Sequence, residues 1–399
     1  MMIEPSQTES AQTHWQQGFA LLCWSLQSGP GNAADFDRLT QSITDWEPFI
    51  QQLRWHRTSA LAWQRLAPHR AQLPDAVDKA LQQCQQQITT LAMKHGVHIL
   101  QLTHLFNSHQ IPFIVLKGVP LSLQLYGNPT RRFSKDIDIL VREADVSATH
   151  QALLDNGFHR TYPGEALPDT VLHHYRQFKK DCTYRHERDG TLLELHWRFD
   201  NNPHFLPLQR FNPFDHVEHV SSSGVPVPVL TAEHNTLYLI MHAAHSSWAR
   251  LSWLSDIAAL LQRPLDWRWI IDTARALHIE PIVWVTLQLA HRLLQAPMPD
   301  VPCRTSWRAR WVLSGIQQTL QQARYPGNAV RMLLPFLFCN RPTFWLFHLQ
   351  RNMAISLNDM ALLPLPPALF FLYYPLRPFL WGWRRTVGPL DLVSERHAP

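Results

Sequence analysis

The sequence predicts an α+β fold: a small mixed sheet with flanking helices, between an N-terminal helical region and a C-terminal helical domain. Three observations predict it. Phe113–Leu116 reads as a short buried strand that ends at Lys117–Gly118. Asp136 and Asp138 alternate with apolar residues through Val141, as a second strand does. Asp189–Gly190 is a hairpin turn signal ahead of a third alternating run, Leu192–Trp197. Apolar residues at helical spacing precede and follow this block.

In chain order, residues 1–12 read as frayed, and His14–Gln27 as a short helix with Trp15, Phe19, Leu22 and Trp24. Asp45 is placed to cap one helix from Trp46 to about Leu66, with Pro48 in its first turn. His56 on that helix is expected to be a satisfied structural histidine. Pro74 precedes a long helix, 76–108, whose Gln82–Gln87 run is a solvated face. After Gly118, Pro120 opens an amphipathic segment with Leu121, Leu123, Leu125 and Tyr126. Residues 144–156 form a helix ended by Gly157. Pro163, Gly164 and Pro168 mark a loop. The run Lys179–Tyr184 reads as the strand joined by the Asp189–Gly190 turn to the one carrying Glu194 and His196. Thr231 opens a helix, and further helical pattern runs to about Ala323, one helix starting at Asp266. The domains expected are 1–94 (helical), 95–230 (the sheet-bearing module), 231–330 (helical) and 331–399. The last is a Pro/Trp-rich apolar tail packed on the helical domain or on a partner.

Composition narrows the function. Hydrophobic residues at 45% and charged residues at 17% describe a globular, charge-poor chain able to bury a sizeable core. A net charge of +5 is compatible with nucleotides, nucleic acid or anionic lipid. Cys23, Cys84, Cys182, Cys303 and Cys339 are dispersed with no C-x-x-C pair, which argues against a zinc site and for a reducing compartment. The polar start, MMIEPSQTES, lacks the features of a signal peptide, so a cytoplasmic location is expected. His242 and His245 stand three apart on a helix without two further ligands at zinc spacing. No G-x-x-x-x-G-K-[ST] occurs, which disfavours P-loop phosphotransfer. Residues 361–376 are apolar but interrupted by four prolines, which argues against a membrane span. Tyr373, Tyr374, Trp381 and Trp383 beside Arg377, Arg384 and Arg385 have the make-up of an interfacial belt, so peripheral contact with the inner membrane surface is one expectation for the tail.

The chemistry concentrates around Asp136 and Asp138. Alternate strand residues share a face, so these carboxylates project together, roughly 6–7 Å apart along the chain. Two bare carboxylates at about 4 Å repel by on the order of 4 kcal/mol at an effective dielectric of about 20. A hard divalent ion with oxygen ligands relieves that repulsion. Upstream, a glycine turn into a helix offers backbone N–H groups to an anion such as phosphate. Arg131, Arg132 and Lys135 form a basic loop between the two features.

Leu116-Lys117-Gly118, Tyr126, the Arg-rich loop and Asp136-Ile-Asp-Ile-Leu-Val141 resemble the polymerase-β-type nucleotidyltransferase superfamily, and within it the bacterial uncharacterised nucleotidyltransferases. Glu194-Leu-His-Trp197 and His242–Asp256 are also similar to that group. The resemblance implies a Mg²⁺- or Mn²⁺-dependent enzyme. It would transfer a nucleoside monophosphate from an NTP, ATP first, to an acceptor hydroxyl on a small molecule, protein or RNA end. It implies Asp136, Asp138 and Glu194 as metal ligands and catalytic residues, and Lys117, Gly118, Arg131, Arg132 and Lys135 as the nucleotide-binding set. His196, His242, His245 and Arg250 are implied as substrate contacts. For Arg250 and Asp256, an internal salt bridge or helix cap is the alternative reading. The competing function is a catalytically inactive scaffold of the same fold that binds a partner or membrane through its tail.

Overall fold

The computed structural model describes residues 5–29, 31–164, 169–301, 307–327, 330–331, 334, 342–353, 357–363 and 365–387. Pro168, Pro335, Pro364, Cys303 and Cys339, and the side chains of Trp381, Arg384 and Arg385, lie outside the described residues. The first elements are α1 (Pro5–Ser25), α2 (Ala33–Ser42), α3 (Glu47–His56), α4 (Ser59–Leu66), α5 (Asp75–Ser108), β1 (Phe113–Val115), α6 (Val119–Tyr126) and β2 (Ile137–Val141). Next come α7 (Val146–Asp155), β3 (Phe158–Tyr162), α8 (Asp169–Phe178), β4 (Asp181–His186), β5 (Leu192–His196), β6 (Val217–Ser222) and β7 (Val225–Leu230). Then follow α9 (Ala232–His245), α10 (Leu251–Leu260), α11 (Trp267–Leu277), α12 (Glu280–Leu294), α13 (Trp307–Gln321), α14 (Pro342–Met353), α15 (Leu357–Leu362) and α16 (Tyr373–Val387). Helices and strands are both present in quantity, and the fold class is α+β.

The chain divides into two compact units. Residues 1–97, 117–135 and 217–340 form the first, and 98–116, 136–216 and 341–399 the second.

In the first unit, α1 starts at Pro5, not at His14; proline suits a first helical turn, and the polar residues after it continue the helix. The single helix expected from Trp46 to Leu66 is two. Arg57 adopts a left-handed conformation (φ 56°) and ends α3, and α4 restarts at Ser59. The cap position is held by Trp46, not Asp45, which lies one residue earlier and accepts a hydrogen bond from the Glu47 N–H. His56 is fully buried and used by backbone on both sides. Its Nε2–H donates to the Leu320 carbonyl (3.1 Å), and its Nδ1 accepts from the Leu251 N–H (3.2 Å). Burial pushes this imidazole down from 6.5 to about 3, with the nearby Arg250 charge adding to the effect and the Leu320 bond opposing it. Helices α9, α10 and α12 pack on one another, and Trp248 Nε1–H donates to Thr286 Oγ1 (2.8 Å) inside that group. Thr231 and Asp266 cap α9 and α11 through their side-chain oxygens. The sequence reading left 217–230 without an element. It forms the β6–β7 hairpin, turned at Ser223 (φ 50°) and Gly224 (φ 83°). Pro226 and Pro228 within β7 conceal it, because proline lacks a ladder donor.

In the second unit, the strands run in the order β3–β4–β5–β2–β1. β1 and β2 are antiparallel, β2 and β5 parallel, and β3, β4 and β5 antiparallel in turn. Ile137, Ile139, Leu193, Leu195 and Trp197 are buried, which fixes the face that Asp138, Glu194 and His196 do not share. Phe106 near the end of α5 packs edge-on against Phe113 of β1 (5.1 Å between ring centroids). In the tail, Phe344 and Phe347 of α14 pack on Phe205 and Phe178, and Asn202 Nδ2 donates to the Phe344 carbonyl (3.2 Å). This part of the tail packs on residues of the sheet-bearing unit. Tyr373 anchors α16 by donating to the Leu363 carbonyl and accepting from the Leu365 N–H. Among the described residues no helix is long and apolar enough to cross a membrane.

Candidate active site

The site is built on the parallel pair β2–β5. Its register sets Asp138 opposite Glu194 and Leu140 opposite His196. The β1–β2 ladder continues to Asp138, whose carbonyl accepts from the Leu116 N–H (3.0 Å). Asp138 is thereby locked in the middle of the sheet. Alternation then brings the Asp138, Glu194 and His196 side chains to one face. Their ligand atoms lie within 4.8 Å of one another. Asp136 stands half-buried one residue before β2, on the Asp138 side by the same alternation, and is not one of those three.

His196 holds the two carboxylates. Its Nε2 lies 3.1 Å from Asp138 Oδ1 and 3.3 Å from Glu194 Oε2. Burial and the Lys180 charge pull the imidazole pKa down, but the hydrogen bonds to Asp138 and Glu194, with Asp181, outweigh them and raise it. Burial would push the Glu194 carboxyl up. The His196 hydrogen bond and the Lys180 and His196 charges overcome this, against repulsion from Asp138, and hold it at about 2. The Asp138 and His196 side chains are almost fully enclosed, whereas Glu194 is 30% exposed.

A second tier supports the imidazole from behind. Lys180 Nζ lies 3.2 Å from His196 Nδ1 and 2.8 Å from Asp181 Oδ2, and Asp181 Oδ2 is 3.9 Å from His196 Nδ1. Lys180 donating to Nδ1 leaves Nε2 as the protonated nitrogen of the neutral ring. Sequence reasoning did not assign Lys180 or Asp181 to the site. The signal was the hairpin: Asp181 pairs with His196 and Thr183 with Glu194 across β4–β5. Carboxylate oxygens are the donors that hard divalent cations take, and a nitrogen ligand is not. Asp138 and Glu194, with Asp136 at the strand entrance, therefore fit Mg²⁺ or Mn²⁺, and His196 fits the role of orienting them.

The other sequence-selected residues belong to the first unit. Gly118 adopts φ 79°, ψ −141°, a conformation L side chains rarely take, and it immediately precedes α6, with Pro120 in the helix's first turn. Arg132 Nε donates to Asp256 Oδ2 (2.8 Å), and Tyr126 Oη–H donates to Asp256 Oδ1 (3.0 Å). The internal salt bridge weighed for Asp256 is thus formed with Arg132. The Arg131 guanidinium reaches the Ala60 carbonyl (3.5 Å). Lys117 and Lys135 are half-buried on the same segment. His242 packs between Tyr238 and Trp253 (6.1 and 5.6 Å between centroids), and His245 sits at the end of α9. Arg250 is buried, with its guanidinium over Trp55 (5.3 Å), Tyr325 (5.9 Å) and Trp253 (6.0 Å).

Comparison with known proteins bears on the family of the chain. A solved structure, that of an antigenic nucleotidyltransferase-like protein from Paracoccidioides brasiliensis, is similar at 16% identity, over 60% of this chain and 95% of that one, with a TM-score of 0.31. No protein with a curated description matches the chain. The family model described as uncharacterised nucleotidyltransferase matches residues 42–295, more than half of the chain, which therefore belongs to that family.

Proposed function

We propose that the chain is a divalent-cation-dependent nucleotidyltransferase that moves a nucleoside monophosphate from an NTP, ATP first, to an acceptor hydroxyl. The observation that carries this reading is the β2–β5 register, which sets Asp138 directly opposite Glu194 and beside His196. Asp136, Asp138 and Glu194 are the residues that would hold Mg²⁺ or Mn²⁺. When bound, such ions neutralise the triphosphate and stabilise the charge that develops as pyrophosphate departs.

The chain's own residues then do four things. Asp138 contributes a fixed carboxylate that cannot swing away, because its strand is paired on both sides. Glu194, ionised at neutral pH and exposed on one side, orients the acceptor hydroxyl oxygen in line with the α-phosphorus, and the hydroxyl proton passes to solvent as the new bond forms. That oxygen forms the new P–O bond as the bond to the bridging α–β oxygen breaks, and the electron pair leaves with pyrophosphate. His196 keeps both carboxylates in position, and Lys180 with Asp181 keeps His196 in position. By the resemblance, Lys117, Gly118, Arg131, Arg132 and Lys135 would take the phosphates, and Arg132 is already paired with Asp256. Catalysis of this kind is positioning and charge stabilisation.

The test incubates the protein with each α-labelled NTP, Mg²⁺ or Mn²⁺ and whole-cell extract. Wild-type protein is expected to deposit label on a discrete acceptor, and Asp138→Asn and Glu194→Gln to deposit none. Equal labelling by the variants, or no labelling by wild type with any NTP, overturns the reading in favour of an inactive scaffold.

A further inference from the structure

A second group of ligating side chains lies in the sheet-bearing unit, apart from the carboxylates of β2 and β5. His98 comes from the last turns of α5, His186 ends β4, and Asp189 sits in the β4–β5 hairpin loop. His98 Nε2 is 2.9 Å from Asp189 Oδ2, and His186 Nδ1 is 3.2 Å from Asp189 Oδ1. One nitrogen from each ring and a carboxylate oxygen all lie within 4.8 Å of one another. We propose that His98, His186 and Asp189 form a binding site for a divalent transition-metal ion such as Zn²⁺, built from two imidazole nitrogens and one carboxylate.

The geometry supports this in four ways. Each ring nitrogen already faces its own oxygen of the Asp189 carboxylate, His98 Nε2 toward Oδ2 and His186 Nδ1 toward Oδ1, at separations near the roughly 3.3 Å between ligand atoms around a tetrahedral ion with bonds of roughly 2.0–2.1 Å. The rings are already oriented. Their centroids lie 4.5 Å apart, and Phe158 packs on both, 5.5 Å from His98 and 4.8 Å from His186. The carboxylate is oriented too, since Asp189 Oδ1 accepts from the Thr191 N–H (3.0 Å) and the Thr191 hydroxyl (2.8 Å), the kind of outer contact that positions a metal ligand. Exposure is graded from 7% for the His98 side chain through 14% for His186 to 36% for Asp189, so the site has a dry floor and an open fourth position at the surface.

Burial opposes the charge on Asp189, but the bonds from His98 and Thr191 hold its pKa well below the usual carboxylate range, so the anionic ligand is available. The donor set distinguishes this group from the Asp138 cluster. Two nitrogens select Zn²⁺, Co²⁺ or Ni²⁺ over Mg²⁺. The bonding balances: the ion takes the lone pairs of His98 Nε2 and His186 Nδ1, and the single N–H proton of each neutral ring moves through solvent to its other nitrogen, Nδ1 in His98 and Nε2 in His186. The site clamps the β4–β5 hairpin to α5. β5 carries Glu194 and His196, so metal binding ties the hairpin's posture to an ion distinct from any at Asp138.

The full chain, stripped with chelator, is titrated with Co²⁺ and its visible d–d absorption recorded, followed by competition with Zn²⁺. One equivalent with a nitrogen-ligated spectrum is expected in wild type and in Asp138→Asn, and loss of that equivalent in His186→Asn and Asp189→Asn. Far-UV circular dichroism confirms that the variants are folded. His186→Asn is the primary variant, because His98 is buried and its replacement risks the fold. Retention of the same spectrum and stoichiometry in folded His186→Asn, or its disappearance in Asp138→Asn, overturns the proposal and leaves His98–Asp189–His186 as a hydrogen-bonded clasp only.

Discussion

Asp138 and Glu194 face each other across a parallel strand pair, 56 residues apart in sequence and in register on β2 and β5. Both strands carry apolar residues to the opposite face, so the backbone at Asp138 and Glu194 is held by buried Ile137, Ile139, Leu193 and Leu195. This rigidity is what a positioning catalyst requires.

The first prediction concerns that pair. Asp138→Asn and Glu194→Gln keep shape and remove charge, and are expected to lower nucleotidyl transfer by on the order of 10²- to 10⁴-fold, the several kcal/mol that metal-assisted charge stabilisation supplies. Pyrophosphate release under saturating NTP is the measurement. A tenfold loss or less would show that the carboxylates do not carry the chemistry.

His196 offers a stability test. Its replacement by alanine leaves two carboxylates facing each other without the ring between them, and breaking a buried charged group of this kind costs about 3–5 kcal/mol. The pH dependence has a definite sign. The folded pKa of His196 is raised, so its contribution is complete below the ordinary 6.5 and is lost as pH rises through the raised value. Glu194 acts at the other end: its folded pKa is lowered, so its contribution is complete above the ordinary 4.5 and is lost as pH falls toward about 2. Urea midpoints across pH should decline on both sides in wild type and lose the alkaline decline in His196→Gln.

His56 predicts an acid weakness in the first unit. Its folded pKa of about 3 lies below the ordinary 6.5, so the unfolded chain binds the proton first and stability falls as pH drops through that interval. The slope from this one group is at most about 1.4 kcal/mol per pH unit. Protonation at Nδ1 would also end the Leu251 N–H bond. His56→Asn should flatten the acid limb of a thermal-melt series, and an unchanged limb would refute the assignment.

Arg132 and Asp256 form a buried ion pair that Tyr126 completes. Asp256→Ala strands the guanidinium and is expected to cost about 3–5 kcal/mol, whereas Arg132→Met with Asp256→Leu should recover most of it. Denaturant unfolding of the single and double variants measures the coupling. If the double variant is folded and still binds NTP normally, the role of Arg132 is to hold its loop and not to touch phosphate.

Much of this architecture could be read from residue order. The alternation around Asp136 and Asp138 fixed a strand and a face, and Glu194–His196 fixed another, because a period of two leaves one consistent arrangement. What could not be read was register. An Asp189–Gly190 two-residue turn would set His196 opposite Thr183. The loop is longer, with the His186 N–H bonded to the Thr191 carbonyl, and this slides Asp181 opposite His196 and brings Lys180 to the site. The break at Arg57 was hidden for another reason: arginine carries no local preference for positive φ, and packing imposed it. Pro226 and Pro228 hid the β6–β7 hairpin by resembling a loop.

The parallel join of β2 to β5 also dictates an order of events during synthesis. When Asp138 leaves the ribosome, its place in the sheet has only β1 as a neighbour. The partner carboxylate and the imidazole arrive with β5, after α7, β3, α8 and β4 have been made. A nascent chain halted before Leu192 can fold its early helices yet must carry an exposed, half-paired acidic strand. Such truncated products are the species that chaperones or proteases would meet.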